Sequence, residues 1–82
     1  MSVDESARVH EFDAGDLGCG NGLAAEVRRQ LALVGVGDQL RIATRDPVGR
    51  EDLPALARLL GHRVLSLEDD GGTTTITLER MR

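Results

Sequence analysis

The sequence predicts an α+β domain: a two-layer sandwich in which two helices cover one face of a four-stranded mixed sheet. Apolar residues alternate in four short stretches, recur at three- and four-residue steps in two others, and the stretches run in the order β-α-β-α-β-β. Turns rich in Gly, Pro and Asp separate them.

Residues 1–7, MSVDESA, show neither period and read as a disordered lead-in to a single domain over residues 8–82. In RVHEFDA, Val9, Glu11 and Asp13 fall on one side and His10 and Phe12 on the other, a first strand. The loop GDLGCGN follows, with three glycines. From there Leu23, Val27, Leu31 and Val34 form an apolar stripe with Glu26, Arg28 and Arg29 turned outward, an amphipathic helix. Asn21 is the expected N-cap, with Gly22 in the first helical position, and GVGD closes the helix.

In DQLRIATR, Leu40, Ile42 and Thr44 share one side of a second strand. RDPVGRED reads as a turn. The second helix is expected after it, with Leu53, Leu56, Ala57 and Leu60 in register, Pro54 in its first turn and Gly61 at its end. HRVLSLE is the third strand, DDGG a two-residue hairpin turn, and TTTITLER the fourth strand. There Thr74, Ile76 and Leu78 share a face, and Thr73, Thr75, Thr77 and Glu79 form a polar face expected to meet water. Strand order does not follow from these patterns.

Composition narrows the chemistry. Eighty-two residues support one modest core, and with Phe12 the single aromatic, that core is Leu, Val, Ile and Ala. The formal charge is −4 and all ten basic residues are Arg, which excludes lysine Schiff-base and P-loop mechanisms. An acidic chain with scattered Arg and one aromatic is not expected to bind nucleic acid directly. No apolar stretch has signal-peptide or membrane-spanning character, so membrane binding is not expected and the setting is read as cytoplasmic. One cysteine excludes an internal disulfide framework and a zinc site of several thiolates. His10 and His62 lack ligand spacing, so neither metal nor cofactor is expected.

Cys19 stands between two glycines just before the first helix. The first amides of a helix lack internal partners, and the peptide dipoles place partial positive charge there. A thiol beside them ionises below its free pKa of about 8.5. Gly18, Gly20 and Gly22 leave room for the backbone, or a partner protein, to approach an anion, and Asn21 would support the helix start. Two roles stay open on the residues alone: a reactive thiolate, or a small apolar side chain in a tight turn. Asp13, Asp16 and His62 are the accessory candidates, Asp13 as a loop-orienting carboxylate and Asp16 as a charge opposing ionisation of the thiol. The run GCGNG fails the dinucleotide pattern, because Leu23 stands where the third glycine would be.

In their order and spacing these segments resemble the TusA/SirA-like sulfurtransferases, small sulfur carriers with a Cys-Pro-x-Pro motif. Phe12–Asp13 matches the opening pair, Leu17 and Cys19 keep their spacing, and GVGDQL, Asp46–Pro47, Asp52–Leu53–Pro54 and Gly61–His62 follow in turn. The likeness runs from about Val9 to Arg80, and the fold it implies is also similar to the C-terminal domain of bacterial translation initiation factor three. Here the motif has become CGNG, and Asp16 replaces a glycine. The resemblance implies a persulfide carrier with Cys19 as the sulfur-bearing residue. Its donor would be a cysteine desulfurase or rhodanese-like protein, and its partner downstream a sulfur-acceptor protein. It would act as a relay more than as a self-contained enzyme. An interaction module that kept the fold without the relay, and a redox-sensing thiol, are the competing readings.

Overall fold

The computed structural model describes residues 8–18, 20 and 22–82. The elements are β1 (Val9–Gly15), α1 (Leu23–Ala32), β2 (Gln39–Thr44), α2 (Pro47–Leu59), β3 (Arg63–Asp70) and β4 (Thr73–Glu79). The expected disorder of residues 1–7 falls outside the described residues. Among those described, no helix is long and apolar enough to cross a membrane.

The sheet order is β1-β2-β4-β3. β1 pairs parallel with β2, while β4 pairs antiparallel with both β2 and β3. Three strands therefore run one way, and the hairpin slots β4 between β2 and β3. Gly71 and Gly72, at φ 58° and 90°, make that hairpin turn in a conformation that L side chains avoid.

The alternation expected in the strands is present. Leu40 and Ile42 of β2 pair with Leu78 and Ile76 of β4, and all four are fully buried. Leu23, Val27 and Leu31 from α1 and Leu53 and Ala57 from α2 join the same cluster, so both helices cover one face. Each large side chain in it contributes about 1.5–3 kcal/mol by leaving water. The other face stays open and carries Glu11, Asp13 and Arg41. One threonine departs from the expected pattern: Thr77, on the open face of a central strand, is buried. β3 lies at the edge with a bulge between Val64 and Ser66, and its Leu65 and Leu67 are exposed.

Two helix starts differ from expectation. The N-cap of α1 is Gly22, at φ 96° and ψ 16°, in the place expected of Asn21, which lies outside the described residues. A left-handed residue turns the chain into the helix here, and glycine is the residue that does so without strain. α2 begins at Pro47, inside the stretch that reads as a turn. Asp46 caps it, its carboxylate accepting the Val48 amide at 3.3 Å, and Pro47 occupies the first turn. Pro54 is thus mid-helix, where its missing N–H leaves the Arg50 carbonyl without the usual partner.

Candidate functional site

The strand register defines two ends of the sheet. Gly15, Thr44, Thr74 and Asp69 form one terminal row, and Val9, Gln39, Glu79 and Arg63 the other. Both helices start at the first row, beside the loop from Gly15 to Gly22.

Backbone bonds hold that loop at both shoulders. On the strand side the Gly15 amide donates to the Asp13 carboxylate at 2.9 Å, and the Leu17 amide donates to the Ala14 carbonyl at 3.0 Å. The Gly15 carbonyl accepts the Arg45 amide at 2.8 Å, tying the loop to the end of β2. On the helix side the Leu23 amide donates to the Gly18 carbonyl at 3.2 Å, which ties the start of α1 back to Gly18. Leu17 packs against the core beneath. Asp13 thus caps the end of β1 through one backbone amide.

Cys19 and Asn21 lie outside the described residues. The three glycines around them have distinct reasons to be glycine. Gly18 is pressed by α2's cap: a Cβ there would stand 2.9 Å from Asp46 Oδ2. Gly22 needs its positive φ. Gly20 is exposed, with none of the described residues within 4 Å of a would-be Cβ.

Asp16 is 85% exposed and pairs with Arg45, Oδ1 to Nε at 3.4 Å. The guanidinium offsets the Asp16 charge, and water screens what remains. Next to it, Arg50 from the first turn of α2 clamps Asp69 through three bonds of 2.7–3.1 Å, and the Thr74 hydroxyl adds one of 2.6 Å. These bonds, Arg50's first, bring the Asp69 carboxyl down to about 2 and raise the guanidinium. The clamp fastens α2's start to the edge strand and holds the row on which the loop rests.

His62 stands apart from this group. It precedes the opposite row, five strand residues away from the loop end, or about 17 Å. Its Nδ1 accepts the Met81 amide at 3.1 Å. Burial, then the charges of Arg80 and Arg82, lower its pKa. The structure thus brings Asp13, Asp16 and the described glycines together and leaves His62 at the far pole. Asp46, which the sequence marks only as part of the Asp46–Pro47 pair, lies against the loop at Gly18 as well as capping α2. The Asp-Pro pair, a cap followed by proline in the first turn, was the available signal. Among the described residues no three His, Cys, Asp or Glu side chains gather as a metal site would require.

Fold and loop together define a small two-layer domain with a glycine-lined turn at a helix start. The chain matches the family profile described as Sulfurtransferase TusA over residues 24–80, well over half its length. It belongs to the TusA sulfurtransferase family, whose general role is sulfur carriage. No curated protein matches it. The matched segment begins just past the loop, at Ala24.

Proposed function

We propose that this protein carries sulfane sulfur as a persulfide on Cys19, taking it from a donor protein and handing it to an acceptor in the cytoplasm. The Cys19 thiolate attacks the outer sulfur of a donor persulfide. The donor S–S bond breaks, the donor sulfur leaves as thiolate, and Cys19–S–SH results with no net oxidation. An acceptor nucleophile then attacks that outer sulfur and returns the Cys19 thiolate. The donor is a cysteine desulfurase or rhodanese-like protein.

Family membership combined with the place of the sole cysteine in the chain carries this reading: a loop pinned at both shoulders, beside the start of α1. Helix-start dipoles favour the thiolate, and exposed Gly20 leaves room for a partner. The family match starting beyond Cys19 favours a second reading, an interaction module without the relay. Incubation with a cysteine desulfurase and L-cysteine, followed by intact mass, tests both. One added sulfur atom, lost with reductant and absent from Cys19→Ser, is expected. No adduct with either desulfurase or rhodanese donors leaves the module.

A further inference from the structure

We propose that the apolar groove between α1 and α2 seats a sulfur-exchange partner presenting an apolar side chain ringed by Arg or Lys, an inference that rests on the relay reading. The groove encloses about 240 Å³ and is lined by Leu23, Ala24, Leu53 and Leu56, together with Asp52. Leu23 directly follows Gly22, so the groove opens at the start of α1, four residues after Cys19 in the sequence.

Apolar lining does not name an occupant, but charge does. At the loop end β1 and the loop bring Asp13 and Asp16, and the start of α2 brings Asp46, Glu51 and Asp52. Glu68, Asp69 and Asp70 run in succession into the hairpin. Against these eight carboxylates stand two guanidiniums, Arg45 and Arg50, a formal −6 among the described residues. The pairs Glu26–Arg29 and Glu11–Arg41 are neutral. The remaining six arginines gather at the opposite pole with Asp38 and Glu79, a formal +4.

The chain is therefore an electrostatic dipole with its groove and loop at the negative pole. Two helix N-termini, at roughly half a charge each, do not cancel that excess. A basic partner is drawn to this pole and turned toward the loop, whereas an acidic one is repelled. A second copy, which has a basic pole of its own, is the competing occupant.

Cys19 itself can report the docking. Three synthetic peptides, each bearing a cysteine activated by 2-thiopyridine, are reacted with the full chain, and thiopyridone release gives the rates. One flanks the cysteine with Leu and Arg, one with Leu and Glu, one with Ala and Arg. At low salt the Leu/Arg peptide should react at least about tenfold faster than Leu/Glu, and screening in 1 M salt should shrink the ratio below about threefold. It should also outpace Ala/Arg by about fivefold, the contribution of one apolar side chain in the groove. The variant Glu51→Lys/Glu68→Lys/Asp70→Lys, all exposed positions, brings that pole to a formal zero and should abolish the charge preference with an unchanged far-UV spectrum. Ala24→Glu should abolish the Leu preference. Equal rates for the two Leu peptides at low salt, or a faster acidic one, overturn the proposal. So does a dimer in sedimentation at low salt, which gives the groove to a second copy. A Cys19 inert even to plain dithiodipyridine is a different failure: it sinks the relay reading and the docking falls with it.

Discussion

Replacing Gly22 with L-alanine strains the left-handed residue that opens α1, and the cost can be worked from its geometry. At φ 96° an L-residue pays about 1–2 kcal/mol that glycine does not. Beyond its chain neighbours, no described residue lies within 4 Å of the new Cβ, so backbone strain is the native-state term to weigh. The less flexible unfolded chain returns about 0.4–1 kcal/mol, leaving a net loss of about 1 kcal/mol. For a domain of this size that lowers the melting temperature by about 4–8 °C. D-alanine gives the control, because positive φ is its favoured region: it keeps the unfolded-state gain and should stabilise by about 0.4–1 kcal/mol. Ligation at the Gly18–Cys19 junction makes both chains, and thermal melts followed by circular dichroism compare them. Gly22→Pro, which restores the second proline of the family motif, should lose more than L-alanine, since proline is held near φ −65°. Should the L-alanine chain melt at or above the D-alanine chain, residue 22 is not left-handed and the derived shape of the loop is wrong.

Other expectations are as direct. Gly49 is buried in the first turn of α2, and a Cβ there would sit 3.2 Å from both Leu23 Cδ2 and Thr44 Oγ1. Leu23 and Thr44 are fully buried and cannot yield, so Gly49→Ala should cost about 1 kcal/mol in urea unfolding, despite better helix propensity. The Asp69 carboxyl titrates at about 2 in the folded chain, below its unfolded value, so its contribution is whole above roughly pH 4 and is lost as pH falls toward 2. Melting temperature followed down that range should drop less steeply for Asp69→Asn. His62 is a base with a lowered folded pKa, so the unfolded chain takes up its proton first. Its contribution is whole above about pH 6.5 and declines as pH falls below it, and His62→Asn should flatten that part of the profile.

Much of the fold was legible because its signals are local. The 2.0 and 3.6 periods, together with DDGG, located all six elements, since each reflects side chains within one strand, one helix or one turn. α2 was misjudged at its start: Pro, Gly and Asp in RDPVGRED are turn residues by composition, yet Asp46 and Pro47 sit where a helix accepts them. Thr77 was misjudged because alternation assigns a face and says nothing about flanking strands on both sides. In the candidate site, Cys19 and its glycines stood out through spacing alone. Asp46 against Gly18 did not, being a contact between residues far apart in sequence. Nor did the distance that removes His62, which depends on strand direction.

By itself, then, the sequence determined the class of fold, its order of elements and its likeness to a sulfur-carrier family. Tertiary structure decided the strand order, the left-handed entry into α1, and the sorting of carboxylates to the loop end and arginines to the other. Those outcomes need the register between strands, which joins residues that no short-range pattern connects. Local sterics write the elements, while long-range pairing decides which charges and side chains become neighbours.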